Sequence, residues 1–225
     1  MLYIKKIPMK TTDFIKRLDI NYDIHALNSE CKKLRNNVNA QGPLWAKQIA
    51  LTHTSDCPTN NKWHQCIRKV ADKKLITEKE ITVINNELKD NYSYLWYVCN
   101  DMKSKFDIGR IRLSIGMNKS VYPMHRDWET RWMIPIESPF NSFIYFRLNE
   151  NSVLDENILD SAHGFGFHMP VDGSVYEIFG ANMHTGINCD EEQRIHLIFN
   201  AAYKQEKEDM FIWPDDRYEF INPKK

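Results

Sequence analysis

Hydrophobic positions follow two different rhythms along the chain. Up to about residue 106 they recur every three or four positions. Ile24, Leu27, Cys31 and Leu34 place one apolar face on a helix over 23–38. Thr11-Thr12-Asp13 predicts the cap of a short helix running to Ile20. Thr77-Glu78-Lys79-Glu80 fits a capping box, with Ile81, Ile84 and Leu88 following on one helical face. Tyr92, Leu95, Trp96, Cys99 and Met102 carry the same period to about Phe106. Between them, residues 39–61 are broken by Gly42-Pro43 and Pro58, which predicts loop and a short strand.

From residue 107 the period changes to two. Ile111, Leu113 and Ile115 alternate with Arg110, Arg112 and Ser114. Residues 131–137, 142–148, 174–179 and 194–200 read as further strands rich in Ile, Phe, Tyr and Val. Turn residues separate them at 116–118, 139–141, 149–151, 172–173 and 188–190. Short strands at this spacing predict a barrel or jelly roll. The expected organisation is a single domain over 1–225. Residues 1–106 would be a mostly helical support region, 107–202 the jelly-roll catalytic core, and 203–225 an extension packed on the core through 210–214.

Composition narrows the class. The chain has 225 residues, and its 30 Lys and Arg balance its 30 Asp and Glu. A neutral chain lacks the basic excess that coating nucleic acid or an anionic membrane requires. No apolar run approaches bilayer length, and residues 1–10 hold no signal-peptide core, so a cytoplasmic protein is expected. Five cysteines at 31, 57, 66, 99 and 189 form no CxxC pair and are an odd number. They read as buried thiols in a reducing compartment, not as a disulfide scaffold or zinc ribbon.

His125-Arg126-Asp127 is an HxD triplet. On an extended segment, positions i and i+2 point the same way, so imidazole and carboxylate converge on one metal. Alone, an HxD in a chain with eight histidines means little. His184 changes the balance. It follows the strand that ends near Phe179, and two histidines with one carboxylate leave positions open on Fe(II). Ten residues later, Arg194 opens an apolar strand. A guanidinium inside a barrel calls for an anion such as a carboxylate. The plain alternative is a salt bridge at a strand end. His196 faces the same side as Arg194 and reads as a neighbour of the site, not a ligand. His163, His168, His25, His53 and His64 read as ordinary residues. Trp128, Trp132, Tyr145 and Tyr176 are candidate pocket walls, although such residues more often belong to the core.

The segments RIRLSIG, HRD, RWMIP, DGSVYEI, NMHTGIN and RIHLIFNA, in that order between Arg110 and Ala201, carry a resemblance. This region is similar to the aspartyl/asparaginyl and proline hydroxylase group of 2-oxoglutarate- and Fe(II)-dependent oxygenases. The resemblance implies an α+β fold: a double-stranded β-helix (cupin-like jelly roll) with the helical N-terminal half packed on the outside. It implies His125, Asp127 and His184 as iron ligands and Arg194 as the partner of the distal 2-oxoglutarate carboxylate. Arg131 matches an arginine of an RxHxP stretch near the cosubstrate, with Met133 where histidine is usual. The implied reaction is hydroxylation of a C–H of an amino acid or amino-acid side chain, with molecular oxygen as co-reactant and succinate and CO2 as products. The competing expectations are a non-catalytic cupin-like binding module and a metal-dependent cupin enzyme that does not use 2-oxoglutarate. The helical first half carries no resemblance, so the substrate stays open at this point.

Overall fold

The computed structural model describes residues 7–43, 46–57, 59–64, 70–71, 74–75, 80–127, 129–148, 152–154 and 164–202. The expectations for Thr77–Lys79, Trp128, His163, the turn at 149–151 and the tail after Ala202 lie outside the described residues.

The first half mixes helix and strand. β1 (Ile7–Met9) is followed by a 3-10 turn at Thr11–Asp13 and then β2 (Ile15–Asn21). The short helix expected through Ile20 is therefore a strand. Leu18 and Ile20 sit two positions apart and both pack on the core, which is strand periodicity. α1 (Ile24–Asn37) begins where Asp23 accepts hydrogen bonds from the His25 and Ala26 amides at 2.9 and 3.1 Å. It buries Leu27, Cys31 and Leu34. β3 (Ala46–Ala50), β4 (Thr52–His53), β5 (Val70–Ala71), β6 (Lys74–Leu75) and β7 (Val83–Ile84) precede α2 (Glu87–Asn91) and α3 (Ser93–Lys105). The helix expected to carry Ile81, Ile84 and Leu88 is thus cut back to Glu87–Asn91. Val83 and Ile84 belong to a β-branched run, and β4 captures them as a paired strand. α3 buries Leu95, Val98, Cys99 and Met102. Its first amides, those of Tyr94 and Leu95, donate to the Glu30 carboxylate of α1 at 3.2 and 2.7 Å, so one helix caps the next.

The second half is β8 (Ile108–Gly116), β9 (Ser120–Val121), β10 (Arg131–Glu137), β11 (Ser142–Arg147), β12 (Ser152–Leu154), β13 (Gly164–Phe167), β14 (Ser174–Ile178), β15 (His184–Asn188) and β16 (Arg194–Ala201). β12 pairs with β1. The other eight strands divide between two antiparallel sheets. One runs β2-β14-β10-β16-β8-β3 and the other β13-β11-β15-β9. The chain crosses from sheet to sheet with β8 and β9, β10 and β11, β13 and β14, β15 and β16. That winding is a double-stranded β-helix, the jelly roll. The turn entering β14 uses Gly173 at φ +83°, a conformation that glycine adopts without a Cβ penalty.

The mostly helical reading of residues 1–106 needs correction. Both edges of the larger sheet come from this half: β2 pairs with β14, and β3 pairs with β8. The alternation seen in β8 also resolves into two buried faces. Ile111, Leu113 and Ile115 join Leu27, Leu34, Leu95 and Met102 in one core on the outside of the larger sheet. Burying each such leucine contributes roughly 1.5–3 kcal/mol. A second core, containing Phe14, Met133, Ile144, Phe146, Phe165 and Tyr176, fills part of the space between the sheets. Among the described residues no helix is long and apolar enough to cross a membrane.

Candidate metal centre

Backbone pairing brings the expected ligands together. His125 and His184 form an antiparallel bridge, with reciprocal N–H to O=C bonds of 2.9 and 2.8 Å. Their rings lie 4.6 Å apart between centroids. Two residues beyond His125, the Asp127 amide donates to the Gly180 carbonyl at 2.7 Å, which turns the carboxylate toward both rings. Asp127 Oδ1 lies 3.7 Å from His125 Nε2, and Oδ2 lies 3.3 Å from His184 Nε2. One ligand atom from each of the three residues falls within 4.8 Å of the others.

The protons on the rings follow from their other partners. His125 Nδ1 sits 2.8 Å from the Pro123 carbonyl and His184 Nδ1 sits 2.7 Å from the Asn182 carbonyl. A carbonyl only accepts, so each Nδ1 carries the hydrogen and each neutral ring leaves Nε2 as a lone pair. These lone pairs face a carboxylate whose Oδ2 is buried and has no hydrogen-bond partner. Three electron-rich atoms turned toward one another without donors fit a cation between them, and the carbonyl-fixed tautomers are the outer support such a site needs. Burial pushes the His125 pKa down from 6.5 to about 4, which keeps the ring neutral. Burial pushes the Asp127 carboxyl upward, but the Arg131 guanidinium beside it outweighs this and holds it below the usual carboxylate range.

Arg131 lies beside the centre: its Nη2 donates to Asp127 Oδ1. Arg194 lies elsewhere. It is buried, its Nη1 donates to the Phe143 carbonyl at 3.3 Å, and among the described residues no carboxylate pairs with it. Burial lowers its pKa from 12.5 to about 10, so it stays a cation at neutral pH. A buried cation with only a carbonyl partner is a place for an anion. The guanidinium occupies space that glycine leaves open. A Cβ on Gly186 would come within 2.8 Å of Nη1 and 2.9 Å of Cζ, and nearer still to Nη2. Gly186 stands two residues from His184 on β15, so the guanidinium is roughly 7 Å along the strand from the candidate ligands.

No family model matches the chain, and no curated protein matches it. Among solved structures it is similar to HygX from Streptomyces hygroscopicus, determined with nickel and 2-oxoglutarate bound, at 9% identity and a TM-score of 0.48, over 88% of this chain and 89% of that one. It is similar to an oxidoreductase of the 2OG-Fe(II) oxygenase family from Burkholderia pseudomallei, at 14% identity and TM-score 0.46, over 86% of each chain. A Pseudomonas putida prolyl-4-hydroxylase is similar at 6% identity and TM-score 0.43, over 84% of this chain and 93% of that one.

His125, His184, Arg131 and Arg194 line one cavity of about 210 Å³ between the sheets. His196 lines it too and is buried, with its pKa pushed well below 6.5 by burial and by Arg194. Tyr122, Gln48 and Gly186 line it without having been singled out in the sequence. For Gly186 a signal existed: a glycine two places beyond a ligand histidine in a strand marks a close approach. Two of the candidate aromatic walls, Trp132 and Tyr176, sit elsewhere. Trp132 stacks on Phe106 at 4.5 Å in the outer core, and Tyr176 belongs to the inner core. His168 and His53 bond backbone carbonyls, at 2.8 and 2.7 Å.

Proposed function

We propose that this protein is a 2-oxoglutarate- and Fe(II)-dependent oxygenase that hydroxylates a C–H of an amino acid or amino-acid side chain, releasing succinate and CO2. The observation that carries the reading is the pairing of two sites in one cavity. Two Nε2 lone pairs and an orphaned carboxylate oxygen face one another, and a buried arginine stands roughly 7 Å away. A five-carbon keto diacid spans such a gap, with its keto-acid end at the metal and its far carboxylate on the guanidinium. His125, Asp127 and His184 would hold Fe(II), and three protein ligands leave further coordination positions open. Bound iron and 2-oxoglutarate supply the oxidative chemistry by activating molecular oxygen. The chain's own part is to bind, orient and exclude water. Arg194 fixes the distal carboxylate through a fork that lysine does not reproduce. Arg131 keeps Asp127 ionised and engages Oδ1, leaving Oδ2 for the metal. Ile144, Ile198 and Met133 give the cavity a dry floor.

The whole chain acts as one unit in this reading, because β2 and β3 complete the larger sheet around the 107–202 core. Free Cys31, Cys57, Cys99 and Cys189 suit a cytoplasmic setting. The test is anaerobic addition of Fe(II) and 2-oxoglutarate. A weak visible metal-to-ligand band is expected, and His125→Ala, Asp127→Ala and His184→Ala should each remove it and abolish succinate formation while the fold persists. Full activity in well-folded Asp127→Ala would sink the assignment.

A further inference from the structure

One row of side chains across the larger sheet is left unanswered by a metal and a cosubstrate. On β8, Ser114 lies directly opposite Gln48 of β3 on one side and His196 of β16 on the other. All three line the cavity. Gln48 turns its own backbone away from β8. Its N–H donates to the Gln41 carbonyl at 2.7 Å, and its carbonyl accepts from the Gln41 amide at 2.9 Å. Gln48 and Ser114 are therefore a non-hydrogen-bonded pair, the kind whose side chains approach more closely. A short serine between two longer polar side chains makes a notch in the cavity wall. Among the described lining residues, Gln48 alone comes from residues 1–106. Two atoms of the row are orphans: Gln48 Oε1 and His196 Nε2 are buried and have no hydrogen-bond partner. A buried polar atom left open on a cavity wall is costly unless a ligand meets it. The row also carries no charge. Glutamine and serine are neutral, and burial together with Arg194 pushes the His196 pKa well below 6.5, so its ring is neutral too. A neutral imidazole donates at one nitrogen and accepts at the other, and the amide and the hydroxyl also do both.

We propose that Gln48, Ser114 and His196 seat an uncharged polar group of the substrate, one that both donates and accepts hydrogen bonds, of hydroxyl or carboxamide type. The inference rests on the oxygenase reading, which commits Arg194 to 2-oxoglutarate. An ion placed in the notch would shed its water and meet no opposite charge in the row. A hydroxyl or an amide sheds less and finds a partner for both its donor and its acceptor. At about 210 Å³ the cavity falls below the roughly 300–1,000 Å³ of drug-sized pockets, so a compact head enters and not a bulky one. The part of the chain without a resemblance thus reaches the cavity through β3, and Gln48 is its specificity-determining residue.

The experiment uses the full chain loaded with Mn(II) and saturating 2-oxoglutarate. The probes are acetamide, ethanol, acetate and ethylammonium, each with a methyl group. Saturable paramagnetic relaxation of the methyl protons reports binding near the metal. Acetamide or ethanol should bind saturably, and which of them binds tells amide from hydroxyl. Gln48→Leu and His196→Leu should each weaken that binding by about tenfold or more, as leaving a buried partner unmet does. Gln48 sits on the edge strand β3, so Gln48→Leu tests the row even where His196→Leu fails to fold. Gln48→Glu should turn the preference toward ethylammonium, because a carboxylate then stands in the row. Acetate that ligates the metal directly should relax equally in parent and variants. The dissociation constant for 2-oxoglutarate, read from the visible band of Fe(II)-loaded protein, separates the two proposals. If that band never forms in the parent, the oxygenase reading fails and the subsite falls with it. With a normal band, neutral probes that do not saturate, or that bind both leucine variants as they bind the parent, overturn the subsite alone. Loss of 2-oxoglutarate affinity in step with the neutral-probe signal also overturns it, because the row would then hold the cosubstrate.

Discussion

Gly186→Ala asks whether Arg194 is placed for a ligand or only for packing. The added Cβ would sit 2.8 Å from Nη1 and 2.9 Å from Cζ, and closer to Nη2. Ordinary separation returns only if the guanidinium moves by roughly 1 Å. The atoms that must yield are the far end of a flexible side chain, and Gly186 has no positive φ to violate. The cost to the fold is therefore small for an overpacked site, about 1 kcal/mol, at the lower end of such changes. The cost to cosubstrate placement is larger. A misplacement of ~1 Å in a positioning group costs about a hundredfold, and outright loss of a buried charged pair costs on the order of 30-fold to several thousandfold. Gly116→Ala supplies the gradient, because its Cβ would meet Arg194 Nε at a tolerable 3.4 Å. The assay is a titration of 2-oxoglutarate into Fe(II)-loaded protein under anaerobic conditions, followed by the visible band, beside a thermal melt. The expected order of dissociation constants is parent, then Gly116→Ala, then Gly186→Ala by a wide margin, with melting temperatures close together. A Gly186→Ala protein that binds 2-oxoglutarate within twofold of the parent would refute the placement of the distal carboxylate on Arg194.

Arg194→Ala should raise the 2-oxoglutarate requirement by about 30-fold or more while leaving Mn(II) affinity nearly unchanged, and Arg194→Lys should recover only part; equal losses for metal and cosubstrate would point to a structural role. Metal-free protein should lose stability as pH falls from about 6.5 toward 4. His125 resists protonation down to about 4 when folded but takes up a proton near 6.5 when unfolded, so up to roughly 3 kcal/mol drains away over that window; a flat urea midpoint between pH 7 and 4.5 contradicts this. A chain beginning near Lys105 should be insoluble or molten, because it lacks β2, β3 and the helices that cover Ile111, Leu113 and Ile115; a soluble, cooperatively melting fragment would argue for two domains.

The candidate site was more legible than the fold around it. An HxD on extended chain turns two candidate ligand atoms the same way by strand geometry alone, and Arg194 and His196 share a face because they are two apart. Helices were readable where an apolar stripe came with a cap, as at Asp23. They were misread where β-branched residues satisfied helical spacing by accident. Ile81 and Ile84 stand three apart, yet the free edge of β4 offered Val83 and Ile84 a partner that local pattern cannot show. β2 failed for the same reason, since its partner β14 lies over 150 residues away. The cavity lining was the least legible part. Gln48 and Tyr122 reach it through sheet register, and register over such distances is set by tertiary packing.

The strand order carries a consequence for how the chain is made. β2 leaves the ribosome early but hydrogen-bonds to β14, whose last residue, Ile178, pairs with Ile15. At ~5–20 residues per second, the intervening stretch takes on the order of 10–30 s to synthesise. Through that interval a nascent strand waits with its ladder unmade, exposed to other partners. β3 waits less, because β8 follows sooner. The candidate metal centre also closes late: His125 cannot be bridged until His184 emerges. A chaperone that shields β2 until β14 arrives would therefore help this chain reach its fold.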